Sequence, residues 1–227
     1  MYINDVISYL GAWEKIKIDH PKVCDDINLL LKLVKSRIFE MYGDLEEDNK
    51  WEKPPIGNFI RIEVENNLFD LGWINKSFNI DERAFINNLG VSKDNCFVKA
   101  GLSGASANLS VMSWIFSEIN YASRITEVSI PVLLLFSIST NLVKEYLDGK
   151  NTNTHKNNKL YSINTVKKNL ERISPLKVEQ PFLILGIGLN ELQLQVIEIN
   201  QDTSINNEKN IKIDRCITFE RLCCTKI

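Results

Sequence analysis

The sequence predicts an α/β fold, and three features predict it. Residues 95–137 read as strand, helix, strand. Two apolar runs of strand length, Val128–Ser137 and Pro181–Leu189, suit strands covered on both faces. Helical periodicity fills much of the chain before and between them. A strand–helix–strand order implies a crossover joining neighbouring parallel strands. The expectation is one domain over residues 1–227, a central mixed sheet flanked by helices, with a helical N-terminal layer over residues 1–73.

Each element has its own warrant. Val6, Leu10, Trp13 and Ile16, then Ile27, Leu30, Leu31, Val34 and Ile38, recur at helical spacing, and Pro21 suits a first helical turn. Two helices are therefore expected to meet near Pro21. Gly43–Pro55 is acidic and turn-rich, a surface loop. Ile56–Trp73 reads as a helix with Gly72 as its stop. Glu63 and Glu65 within it are two residues apart, so they point to different faces and make a poor metal clamp. Asp81 is suited to cap a helix over Glu82–Asn88. Asn95–Leu102 reads as a short strand and Ala105–Ala122 as a buried helix. Asn141–Asp148 is a short helical piece, and Tyr161–Ile173 a helix with Ile163, Val166, Leu170 and Ile173 on one stripe. Leu192–Ile199 alternates like an edge strand. The tail, residues 200–227, carries little pattern.

Composition excludes several classes. With 44% hydrophobic residues and a net charge of −2, the chain has ample core and is not disordered. The greasiest run, Ile130–Phe136, is far shorter than the ~20 residues a spanning helix needs, and the opening residues do not form a signal peptide. Five cysteines (Cys24, Cys96, Cys216, Cys223, Cys224) form no C-x-x-C pair, which reads as reduced thiols of a cytoplasmic protein. Two histidines, His20 and His155, are too few for zinc clusters or histidine-centred nuclease sites. Gly186 and Gly188 sit in a strand-like run with Glu191 where a dinucleotide fingerprint needs its third glycine.

The most polar stretch is the loop Lys150–Lys159, which holds Lys150, Asn151, Asn153, His155, Lys156, Asn158 and Lys159 and no acid. Asparagine pairs bidentately with adenine, and lysine reaches guanine or phosphate. The Lys144–Lys177 region is basic and Glu40–Asp70 acidic. The same composition also describes a solvated loop of turn formers.

Four segments, in order, resemble one family. Ile3-x-Asp-Val-x-Ser-x-Leu10 with Pro21 and Asp26-Ile27 is similar to the start of BglII/BstYI-type restriction endonucleases. Pro55-Ile56, Asn58 and Leu71-Gly72-Trp73 resemble the helix that follows there. Val132–Ser137, Lys144-Glu145 and Lys159-Leu160-Tyr161 resemble its central strand, recognition region and next helix. Pro181–Gly186 resembles its last core strand, and BamHI shares much of this latter half. The resemblance covers most of the chain up to about Glu191. It implies a restriction-endonuclease-like PD-(D/E)XK core and a homodimeric, magnesium-dependent enzyme that cleaves duplex DNA at a palindrome containing GATC. Ser139, Asn141 and the loop Lys150–Tyr161 would face bases in the major groove.

The resemblance breaks at the metal site. The family carries an aspartate, then Glu-x-Gln or Glu-x-Glu on the catalytic strand. Aligning that strand on Val98–Gly101 puts Lys99 at the glutamate and Gly101 at its partner, and an ungapped match puts Gly90 at the aspartate. Magnesium takes oxygen ligands, commonly one or two carboxylates, and replacing glutamate by lysine repels it. By analogy with other restriction enzymes, Asp81 and Asp94 are candidate metal ligands, with Lys99 and Glu118 completing a shifted catalytic set. Three readings follow: an endonuclease working through shifted ligands, a DNA-binding relative without hydrolysis, or an α/β scaffold with a protein partner. Returning carboxylates to positions 90, 99 and 101 is the direct way to ask whether ligand loss alone silenced the site.

Overall fold

The computed structural model describes residues 1–42, 55–75, 78–81, 84–86, 90–102, 111, 114–119, 130–137, 166, 170, 178–189 and 193–199. In chain order these form β1 (Tyr2–Tyr9), α1 (Ala12–Asp19), α2 (Pro21–Tyr42), α3 (Ile56–Asp70), β2 (Ile74–Asn75), β3 (Phe78–Asp81), β4 (Ala84–Ile86), β5 (Val91–Lys93), β6 (Cys96–Leu102), a π-helical turn at Trp114–Ile119, β7 (Ile130–Phe136), β8 (Phe182–Gly188) and β9 (Gln195–Ile199). Seven strands make one mixed sheet in the order β2-β5-β6-β7-β8-β1-β9, while β3 and β4 form a separate hairpin. Strands β6, β7 and β8 run parallel, as the crossover pattern requires. No helix among the described residues is long and apolar enough to cross a membrane.

Alternate residues on the central strands feed two cores. Val98, Val132, Leu134, Leu185 and Val6 pack with α1, α2 and α3 through Trp13, Ile27, Leu30, Val34, Ile60 and Leu68. Leu133, Leu135, Phe182, Ile184, Ile7 and Tyr9 face the other way, with Val111, Trp114, Ile115, Val166 and Leu170. Every residue of β7 and β8 is buried, so these strands show an unbroken apolar run and no alternation. Tyr9 stacks on Phe182 at 4.7 Å, and its hydroxyl donates to the Val178 carbonyl at 2.9 Å.

Two sequence expectations are corrected. Residues 2–9 form a strand, not the first half of a helix: β1 lies inside the sheet, antiparallel to β8 and parallel to β9. Val6, Ile7, Ser8 and Tyr9 are all buried because both faces of β1 are covered, which erases the period-two signature. Leu10 and Gly11, at φ 54° and 70°, then turn the chain into α1. The N-terminal layer is helical only from Ala12. The second correction concerns Asp81, which ends β3 and pairs with Ala84 of β4; it caps no helix.

Other boundaries follow their local chemistry. Proline opens α2, where its missing N–H costs nothing. At the end of α3, the Gly72 and Trp73 amides return to the Phe69 and Leu68 carbonyls, the latter at 2.9 Å, with Gly72 at φ 82°. This is a Schellman closure, and glycine is the residue that adopts that dihedral without strain. The alternation over Leu192–Ile199 predicts an edge strand, and β9 is the last strand of the sheet.

Candidate functional site

Strand β6 is central to the candidate site, and the fold defines its two faces. Cys96 and Val98 belong to the core beneath α1–α3. Lys99 and Gly101 alternate with them and so face the opposite side, in register with Leu133 and Leu135 of β7. Lys99 is half-buried. A carbon added at Gly101 would meet the Leu133 and Leu135 side chains at 3.7 and 3.8 Å, ordinary contact. Position 101 therefore has room for a first side-chain carbon.

Position 90 does not. Gly90 precedes β5 at φ 127°, and an added Cβ would sit 2.2 Å from the Val98 carbonyl oxygen and 2.8 Å from its carbon. Backbone, not a movable side chain, closes the space. The aligned aspartate position is thus sealed by the strand that carries Lys99.

The structure separates some of the remaining candidates. Asp94 and Asn95, at φ 49° and 61°, form the exposed two-residue turn between β5 and β6. Both central residues at positive φ define the hairpin turn that asparagine and aspartate tolerate best. Asp94 lies five residues before Lys99, which at about 3.3 Å per residue is roughly 16 Å along the chain. The two cannot share one ion. Asp81 lies in the β3–β4 hairpin, and Glu118 on the π-helical turn that follows β6. Ser139, Asn141, Lys150, Asn151, Asn153, His155, Lys156, Asn158 and Lys159 lie outside the described residues. Among the described residues no three histidine, cysteine, aspartate or glutamate side chains cluster as a metal site. At the aligned positions 90, 99 and 101 the residues present do not fit magnesium: they offer an ammonium, a sealed backbone and no carboxylate.

Sequence reasoning missed a carboxylate on the same side of the sheet as Lys99. Asp5 of β1 pairs with Gly186 of β8, in the row that runs through Leu135 and Gly101. Burial raises its carboxyl from the ordinary 3.8 to about 6. Three strand spacings separate β1 from β6, about 14 Å, so Asp5 and Lys99 do not converge on one ion either. Because the folded-state value is the higher one, the native protein holds the extra proton between about pH 4 and pH 6, and stability falls as pH rises through that window. Asp5→Asn is expected to be neutral at pH 4 and stabilising by about 1–3 kcal/mol at pH 7.5, read by urea unfolding at both pH values. Equal effects at the two pH values would refute the buried-carboxylate account.

Nearby groups are structural. The Ser8 hydroxyl accepts the Trp13 amide at 3.1 Å and bonds to Glu198, tying β1, α1 and β9 together. Glu198 is nonetheless pushed up, because desolvation outweighs that hydrogen bond. Cys96 is free and buried, and desolvation, aided by the Asp94 carboxylate, pushes its thiol up to about 12. It is no nucleophile at neutral pH. No protein-family model matches the chain, and no curated protein matches it.

Proposed function

We propose that this chain is a restriction-endonuclease-like protein that binds duplex DNA as a homodimer, at a palindrome with a GATC core, without hydrolysing it through the carboxylate set of the family it resembles. The observation that carries the non-hydrolytic part is the sealed position 90 beside a strand that bears Lys99 and Gly101. An ammonium at the place of a metal-binding carboxylate favours phosphate contact and disfavours a divalent cation. Support for the fold assignment comes from the β5–β6 hairpin, the parallel β6–β7 pair and helices on both faces of the sheet. Sequence discrimination is assigned to Ser139, Asn141 and the Asn/Lys loop 150–159, whose side chains have base-edge chemistry. A two-fold site requires two copies of that loop, hence the homodimer.

The test is fluorescence anisotropy with a GATC-containing duplex and a scrambled control across a salt series, with magnesium or manganese added in a parallel cleavage assay. Tighter binding to the GATC duplex, a negative salt slope and intact DNA are expected. Lys99→Met is expected to reduce the magnitude of that slope by about one while leaving the GATC preference unchanged. Binding that shows no salt dependence would remove the DNA reading. Metal-dependent cutting would instead point to shifted carboxylate ligands, Asp81 and Glu118, with Lys99 orienting the attacking water or the phosphate.

A further inference from the structure

The π-helical turn Trp114–Ile119 carries two independent local costs. Its hydrogen bonds run from i to i+5, a geometry that is rare and occurs mostly as single turns within helices. Inside it the Trp114 indole N–H is enclosed and has no acceptor, alone in this among the side-chain polar atoms of the described residues. A buried donor left unbonded is unfavourable, and each such group needs a reason.

The spacing of the residues explains the wide turn. Trp114 and Ile119 are five residues apart, and both belong to the second core, 2% and 0% exposed. On an α-helix, at about 100° per residue, they would stand roughly 140° apart. Bonds from i to i+5 bring them to one side, where Trp114 meets the Phe182 ring edge-on at 5.9 Å.

The same residues also carry an ordinary α-helical stripe. Val111, Ile115 and Ile119 follow one another at four-residue spacing, all buried in that core, and Val111 is itself α-helical. Such a stripe stays within about 80° on an α-helix. An α-helical turn over residues 114–119 would keep all three inside and swing Trp114 about 100° from Ile115, out to the rim of the core. The contact with Phe182 is lost there, while the indole N–H gains water and the turn gains the common helical geometry. Aromatic burial and an unbonded donor are of the same order, so neither register wins by much.

We infer that Trp114–Ile119 is a two-state element: a wide turn that holds Trp114 in the second core, in exchange with an α-helical turn that keeps Val111, Ile115 and Ile119 and releases Trp114 to water. Trp114 shares its cluster with Leu133 and Leu135, the two side chains that border position 101, so the switch changes the packing beside the candidate site. The inference does not depend on the DNA reading.

Fluorine NMR of the full chain labelled with 5-fluorotryptophan tests it, with Trp114→Phe to assign the signal. Trp114 is expected to exchange with a second state populated at about 1–10%, detected by saturation transfer. The second signal should shift between light and heavy water, as a hydrated indole does. Trp73, whose N–H is bonded to Asp26, should show one state. Deleting Ser117 brings Trp114 and Ile119 to four-residue spacing, so an ordinary α-helical turn buries both, and the second state should shrink at least about tenfold. Phe182→Leu removes a contact made only in the wide turn and should raise the second state severalfold; it serves equally if the deletion unfolds the chain. A single Trp114 state in the wild-type chain, a second state shielded from water, a second state that survives the deletion in a folded chain, or a population indifferent to Phe182→Leu would each overturn the inference.

Discussion

Gly90→Asp, the substitution that would supply the aspartate of the family this sequence resembles, is expected to destabilise the chain strongly and not to create a metal site. The new Cβ would stand 2.2 Å from the Val98 carbonyl oxygen, and φ at this position is 127°. Both penalties apply to any side chain, so Gly90→Ala should cost nearly as much. Relief requires β5 to move off β6, which breaks the register that pairs Val91 with Val98. The cost is about 3–5 kcal/mol for either variant, a drop in melting temperature on the order of ten degrees. Thermal melts of both variants check this. If Gly90→Ala melts with the wild type while Gly90→Asp does not, charge and not space governs the position. Lys99→Glu and Gly101→Glu without the position-90 change are then the informative carboxylate variants, because position 101 has room for a first side-chain carbon.

The second large effect is expected at Asp26. One carboxylate oxygen, Oδ2, accepts both the Trp73 indole N–H at 2.7 Å and the Lys93 ammonium at 2.8 Å, and Lys93 also donates to the Leu71 carbonyl at 2.8 Å. The cluster joins α2, the closing turn of α3 and β5. Asp26 and Lys93 side chains are only 15% and 27% exposed, so the pair is partly screened from water. Asp26→Ala strands an indole donor and an ammonium together, at a cost of about 2–4 kcal/mol. Asp26→Asn keeps an acceptor for Trp73 and loses only the charge, so it should cost roughly half as much. Urea unfolding of the two variants reads both numbers. A loss below about 0.5 kcal/mol for Asp26→Ala would mean the cluster is no better than an exposed ion pair.

Much of the fold was legible where one physical signal dominated. The strands at 96–102, 130–136 and 182–188 were visible as apolar runs bounded by turn residues, and α2 as an uninterrupted helical stripe. β1 was not, because Val6, Leu10, Trp13 and Ile16 happen to fall at helical spacing while the strand is buried on both faces. The overlooked signal was Gly11, the left-handed turn that separates strand from helix. Asp81 misled through its good capping chemistry, which a hairpin with Ala84 overrode.

The site was legible only in part. The departure at Lys99 and Gly101 can be read in the residues themselves. That Gly90 is sealed cannot, since it depends on a carbonyl eight residues away across a hairpin. Asp5 was hidden likewise: its burial comes from β8 and β9, which lie at the other end of the sequence.

The position of β1 also sets a schedule for synthesis. Tyr9 and Val178, which bond in the native state, are 169 residues apart. At 5–20 residues per second the first strand waits roughly 10–30 s for its neighbours to leave the ribosome. Meanwhile β5, β6 and β7 can already associate through nearer contacts, leaving the greasy segment Val6–Tyr9 without a place. Expression at lower temperature, or with a holdase present, should therefore raise the yield of folded chain more than any change to the central strands.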